Sequence, residues 1–270
     1  MTRLILRGRE VRLIAALHLP AMPSSTQLDA PSLVDVIAYA RRNAAIALQN
    51  GMDGLYIQDL GDYPAARQPQ PHTVARVTAV GCALRQAFPD APLGVCLMAH
   101  GAAGPLAVAQ AMDADFVRLK VYVGAMVKAE GVLEGCAHEA IQYRAAIHAE
   151  NIRIVADVYD RTGMPLAPLP LPQAAQQAVT FGRADGLILT GRSWSESKEM
   201  LSQVQRASLG VPLLVGGGVT AETAAEALAV ADGVIVSTAL KQVTSWAADA
   251  LDSDWDVDKV RALVGASQAK

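Results

Sequence analysis

The sequence predicts a (β/α)8 barrel, a single domain over residues 1–270. Two observations predict it. Four segments nearly repeat one another, each an apolar run announced by aspartate: Asp53-Gly-Leu-Tyr-Ile-Gln-Asp59, Asp115-Phe-Val-Arg-Leu-Lys120, Asp185-Gly-Leu-Ile-Leu-Thr190 and Asp232-Gly-Val-Ile-Val-Ser237. Four further apolar runs, at residues 13–19, 92–98, 152–158 and 212–215, alternate with them, and each is followed by an Ala-rich stretch with helical spacing. Short apolar strands alternating with helices mark a parallel sheet covered on both faces, and eight of them close into a barrel.

The first strand, Arg12 to Leu19, carries His18 near its end and breaks at Leu19-Pro20. Residues 31–50 hold Leu33, Val36, Ile37, Ala40, Ala44 and Ala47 at helical spacing, closed by Asn50-Gly51. The second strand ends at Gln58-Asp59, and a proline-bearing loop over residues 61–71 leads to a helix over 73–88. The third strand ends at Met98-Ala99-His100, before a small-residue helix over about 102–112. The fourth strand carries Arg118 and Lys120 inside a buried run, a costly use of two cations. Tyr122 to Gly135 reads as a long loop, the kind that forms a lid or a site wall. After a helix over about 136–149, the fifth strand ends at Asp157, and residues 159–172 form a loop with four prolines. The sixth strand ends at Thr190-Gly191, and Arg192 to Glu196 turn the chain into the next helix.

An apolar content of 52% with 18% charge is ample for one core. The net charge of −3 and the scatter of basic residues exclude a polybasic footprint for nucleic acid or an anionic membrane. No apolar run approaches membrane-spanning length and no signal-peptide core opens the chain. Cys82, Cys96 and Cys136 lie apart, with no CxxC pair, so reduced thiols and a cytoplasmic location are expected. Cys96, at a strand end, is the thiol placed to face a site. Barrels of this class often assemble, so a homo-oligomer is expected, with Trp194, Trp246 and Trp255 as candidate buried contacts.

The sharpest local signal is Val215-Gly216-Gly217-Gly218-Val219-Thr220 after the seventh strand, beside Ser237-Thr238 after the eighth. Three glycines let a backbone approach a ligand, and the amides opening the next helix can face phosphate oxygens. The alternative is a tight corner with no ligand. A small phosphorylated ligand is therefore expected on Gly216, Gly217, Gly218, Ser237, Thr238, Thr190, Arg192 and Arg118. Ionisable residues at strand ends supply the catalytic candidates: Asp157, Lys120, His18, Asp59 and, through the resemblance below, Glu134. Against this, Arg118 and Lys120 can form structural ion pairs with Asp59 or Asp157, and His18 can be a core-edge imidazole. Asp59, Asp62, Asp157 and His100 are scattered and match no spaced ligand motif, so no cofactor is expected and a divalent metal stays the minor alternative. Asp53, Asp115, Asp185 and Asp232 fall at the opposite face and read as turn residues.

Residues 117–144 carry Gly124-Ala-Met-Val127, Gly131, Glu134-Gly135, Ala137-His-Glu139 and Tyr143-Arg144, a pattern that resembles the BtpA/SgcQ family. Leu17-His-Leu-Pro20, Gly61-Asp62, Ala156-Asp-Val158, Leu189-Thr-Gly191 and Gly217-Gly-Val-Thr220 extend it over nearly the whole chain. The resemblance implies a barrel of the ribulose-phosphate-binding kind, in a family named for a photosystem I biogenesis factor. It marks His18, Asp62, Glu134, His138, Asp157, Thr190 and the glycines as family-type site positions. The chain departs from the pattern at Asp59-Leu60, where relatives carry Glu-Asn, at the Asn-poor end of the third strand, and after the fifth strand. There Asp157-Val-Tyr-Asp-Arg-Thr162 replaces the family's Asp-Val-His-x-Lys-His. Two functions follow as expectations: an enzyme doing acid/base lyase or isomerase chemistry on a phosphorylated metabolite, or a non-catalytic assembly or regulatory factor.

Overall fold

The computed structural model describes residues 2–23, 25–27, 29–243 and 252–268; Trp246 lies outside them. Eight parallel strands close a barrel in the order β3 (Leu13–His18), β4 (Gly54–Gln58), β5 (Leu93–Cys96), β6 (Phe116–Leu119), β9 (Arg153–Asp157), β11 (Gly186–Thr190), β12 (Leu213–Gly216) and β13 (Gly233–Val236), the last pairing with β3. Helices α1 (Leu33–Gln49), α2 (Pro71–Ala87), α3 (Ala103–Ala111), α4 (Ala137–Ala146), α5 (Leu171–Thr180), α6 (Trp194–Gln205) and α7 (Ala221–Val230) follow strands in turn, and α8 (Val257–Gln268) ends the described chain. Local chemistry sets their starts: Ser32 accepts the Asp35 amide at 3.2 Å to cap α1, and Pro71 opens α2 where a missing N–H costs nothing. Among the described residues no helix is long and apolar enough to cross a membrane.

The period of two along each strand sorts side chains into the barrel or onto the helices. Ile14, Ala16, Tyr56, Cys96, Phe116, Val155, Ile188, Leu214 and Ile235 point inward and pack together. Gly94 is required there, because a Cβ on it would meet the Phe116 ring at 2.4 Å. Cys96 belongs to this core and not to a site: it is fully buried, and burial pushes its thiol up to about 11.

Two features differ from the sequence reading. A hairpin of β1 (Ile5–Leu6) and β2 (Arg9–Glu10) precedes the barrel, and Leu4, Leu6 and Val11 join the inner cluster. The expected loop at residues 122–135 is a second hairpin, β7 (Ala125–Lys128) and β8 (Gly131–Glu134), joined by β10 (Met164–Pro165) in a three-stranded antiparallel sheet. Short strands interrupted by Gly carry little periodicity, so neither hairpin shows a clear signal in sequence.

The four aspartates are inter-strand clasps rather than turn residues. Asp53 accepts the amides of Arg12 and Leu13, both at 2.8 Å; Asp115 accepts that of Leu93, Asp185 that of Ile154, and Asp232 that of Leu213, at 2.8, 2.9 and 2.9 Å. Each joins the entry of one strand to the entry of its neighbour. Arg85 and Arg144 hold Asp115 and Asp185 in place at 3.2 and 2.7 Å. The near-repeat in sequence therefore marks the stability face of the barrel.

Candidate anion-binding site at the barrel mouth

At the carboxyl ends of β11, β12, β13 and β3 lies a cavity of about 640 Å³. His18, Arg118, Thr190, Arg192, Gly216, Gly217, Gly218, Ser237 and Thr238 all line it, as do Tyr56, Arg161 and Lys259. Strand register explains the convergence: Thr190 pairs with Gly216, and His18, Tyr56, Arg118 and Thr190 extend the inward rows that form the core below.

The glycine loop is shaped by its neighbours. Gly217 and Gly218 have φ of +74° and +75°; a Cβ would meet the Gly191 carbonyl oxygen at 2.5 Å from Gly217 and the Trp194 nitrogen at 2.5 Å from Gly218. Buried Ser197 ties the two loops together, its hydroxyl accepting the Gly191 amide at 2.9 Å and donating to the Gly216 carbonyl at 3.0 Å. The tight corner and the ligand cradle are thus the same piece of backbone. Beside it, Thr190 is 8% exposed and its Oγ1 is buried without a hydrogen-bond partner. Such an orphan costs free energy until something bonds it.

The cavity is electropositive. His18 Nδ1 lies 3.2 Å from Ser237 Oγ, and burial, reinforced by Lys241, Arg118 and Arg161, pushes the imidazole down to about 3. Burial is the main reason that His18 is held neutral, and the cations that add to the shift favour an anion in the cavity. Beneath it, buried Lys241 is brought down to about 8 by desolvation, against the pull of Asp252.

Arg118 meets Asp157 through two contacts, Nε to Oδ2 at 3.0 Å and Nη2 to Oδ1 at 3.1 Å, and donates from Nη1 to the Tyr56 hydroxyl at 2.6 Å. Burial raises the Asp157 carboxyl and Arg118 pulls against that rise. Asp157 therefore stands behind Arg118, engaged in the structural pair that the sequence left open as an alternative to catalysis. Burial likewise lifts the Tyr56 phenol to about 12.

Four of the catalytic candidates, Asp157, Lys120, Asp59 and Glu134, are not among the residues that line the cavity. Lys120 Nζ donates to the Met98 carbonyl at 2.7 Å, while Asp59 Oδ1 accepts the Met98 amide at 2.7 Å. These two side chains brace one backbone unit at the end of β5. Glu134 ends a strand of the outer hairpin and lines a separate cavity of about 610 Å³ with His100 and His138. Asp62 accepts the Met22 amide at 2.6 Å and so steadies the first βα loop. Among the described residues no three His, Cys, Asp or Glu side chains gather as a metal site would require.

Burial is the largest influence on Asp59 and raises it to about 6, against the Met98 amide and Lys120. A carboxyl raised in the folded state supports stability below its unfolded value near 4 and withdraws that support as pH rises through 6. Asp59→Asn, which keeps the acceptor for Met98, is expected to exceed the parent in stability by about 3 kcal/mol at pH 8 and to match it near pH 4. Urea denaturation at both pH values checks this; equal stability at pH 8 contradicts it.

Sequence reasoning missed Tyr56, Arg161, Lys241 and Lys259. Tyr56 was legible, since it lies two residues before Gln58 on the inward row. Lys259 carries no such signal, because α8 is brought to the cavity by packing against α7 and α1.

Fold and site together define a closed parallel barrel with a glycine loop and an electropositive cavity at its carboxyl face. Solved barrels similar to it include phosphoribosylanthranilate isomerase from Thermotoga maritima, at TM-score 0.56 and 14% identity, covering 96% of this chain and 98% of that one. Another is 3-keto-L-gulonate-6-phosphate decarboxylase from Vibrio cholerae, at TM-score 0.56 and 15% identity, with 96% and 98% coverage. At such identities the likeness is one of fold. The chain belongs to the BtpA family, whose model matches residues 9–268. Among its relatives is the photosystem I biogenesis protein BtpA of Synechocystis, 31% identical over 234 residues, 85% of this chain and 80% of the relative.

Proposed function

We propose that the mouth cavity binds a small phosphorylated metabolite, and that the protein is an enzyme of lyase or isomerase type acting on it. The phosphate sits between Gly217-Gly218 and Ser237-Thr238, reached by Thr190, with Arg161, Arg192 and Lys259 supplying positive charge. The observation that carries the reading is the orphaned Thr190 Oγ1 beside the glycine loop of an electropositive cavity. The names of the two similar barrels, which concern phosphorylated compounds, support it. A cavity of about 640 Å³ leaves room for a metabolite beyond its phosphate. The remote phosphate then supplies binding energy that positions the reacting carbons. Neutral His18 and the Tyr56 hydroxyl are the groups placed to hold or pass a proton there, with the Arg118–Asp157 pair fixing the Tyr56 hydroxyl.

A thermal-shift series with inorganic phosphate and sugar phosphates tests the reading. A ligand at 100 times its dissociation constant stabilises by about 2.7 kcal/mol. Thr190→Val removes the orphaned hydroxyl at constant shape, so we expect unchanged or slightly higher intrinsic stability and about tenfold weaker binding. A parent protein that none of these ligands stabilises, or a Thr190→Val variant that binds as well as the parent, overturns the assignment.

A second reading, action as an assembly factor, rests on the photosystem-related name of a 31% identical relative and on one surface feature. Val132, Val127 and Met164 are paired across the three strands of the small sheet and stay 43%, 43% and 64% exposed. An exposed apolar row suits a protein contact.

A further inference from the structure

The segment after β9 is anchored on both sides of Arg161. Before it, Tyr159 adopts φ +63° and its hydroxyl accepts the Leu169 amide at 2.8 Å and donates to the Leu169 carbonyl at 3.0 Å. Asp160 pairs with Lys128 of the β7–β8 hairpin, and both side chains are 4% exposed. After it, Thr162 closes onto the same carboxylate, the amide at 3.1 Å and the hydroxyl at 2.8 Å. Burial raises the Asp160 carboxyl, but Lys128 and Thr162 together bring it below the usual range. Arg161, held between these anchors, lines the cavity, and its Nη1 lies 3.3 Å from where a Cβ on Gly217 would stand.

A buried ion pair gains little stability over apolar side chains of the same volume, because desolvating two charges offsets their attraction. What it does supply is a fixed geometry. We propose that Arg161 closes over the phosphate held at Gly217-Gly218, and that the buried Lys128–Asp160 pair is the positioning device that aims it. The inference rests on the phosphate reading above and adds a phosphate-binding residue to it. The small antiparallel sheet then has a task at the site: through Lys128 it sets the direction of the arginine contributed by the β9 loop. A guanidinium aimed across a glycine loop offers two parallel N–H donors that match two oxygens of a phosphate ester.

Calorimetric titration of the parent and its variants with inorganic phosphate at pH 8 tests the proposal. Arg161→Gln is expected to raise the dissociation constant at least tenfold, and Arg161→Lys less. Asp160→Asn is the decisive variant. Removing a negative charge near the cavity strengthens anion binding if only Coulomb attraction matters, whereas loss of aim weakens it. We expect severalfold weaker binding, with Asp160→Asn adding nothing in the Arg161→Gln background. Where the lone Asp160→Asn variant folds poorly, Lys128→Met/Asp160→Asn removes both charges together and is expected to bind as weakly. Unchanged or tighter binding in the Asp160 variants, with stability alone affected, overturns the positioning role while leaving the phosphate reading intact. Absence of phosphate binding by the parent protein overturns that reading and this inference with it.

Discussion

Arg118→Met is expected to lower stability by about 3–5 kcal/mol at pH 8, the cost of leaving a buried carboxylate without its partner. Asp157 is 2% exposed at its side chain and meets Arg118 through both oxygens. The sign with pH follows from burial. In the variant the Asp157 carboxyl loses the cation that opposed its rise, so the folded form prefers the protonated acid. A raised carboxyl contributes stability at low pH that is lost as pH rises through its folded value, so the deficit is largest at pH 8 and shrinks toward pH 5. Arg118→Met/Asp157→Leu, which removes both charges, is expected to recover most of the loss. Urea denaturation of the three proteins at both pH values decides the matter. A single variant within 1 kcal/mol of the parent at pH 8 means that the pair anchors nothing, on the scale of about 3–5 kcal/mol set for such breaks.

The second large effect concerns the glycine loop. Gly218→Val places a β-branched side chain at φ +75° and drives a Cβ to 2.5 Å from the Trp194 nitrogen and 3.0 Å from the Ser193 carbonyl carbon. Backbone strain costs about 1–3 kcal/mol and overpacking a similar amount, so a total loss of about 2–6 kcal/mol is expected. The clash can be relieved only by separating the β11 and β12 loops, which form one wall of the cavity. Phosphate stabilisation should therefore vanish with it. Gly210 supplies the control: its φ is also +75°, but nothing lies within 4 Å of a Cβ there. Gly210→Ala should cost only the strain, about 1 kcal/mol, and leave the phosphate response intact. Equal responses to phosphate in the two variants would show that the loop packing does not shape the site.

The fate of individual residues shows how far the sequence was readable. His18, Thr190, Gly216 and Ser237 came together because each ends an inward row whose direction follows from a period of two, and Gly217 and Gly218 follow Gly216 into the loop. Asp59 and Lys120 also end barrel strands, yet both are bound to Met98. Position at a strand end says that a side chain reaches the mouth, but not what it finds there. Glu134 was drawn in by a motif and carried outward by a hairpin that its short, glycine-broken strands did not announce. Arg161 stood within a segment noted for what it lacked, and its neighbours' anchors turned it toward the glycine loop.

Alternation of apolar runs with Ala-rich helices determined the barrel, its inward rows and the location of its glycine loop, because these follow from periodicities of a few residues and from conformations available to glycine alone. Tertiary structure decided which charges neutralise one another and which face the cavity. Arg118 with Asp157, Lys128 with Asp160, and Lys259 brought in by a terminal helix are meetings between segments distant in sequence. Ion pairing falls off over a few ångströms and depends on burial, so such partnerships exist only once strand register and helix packing have set the distances.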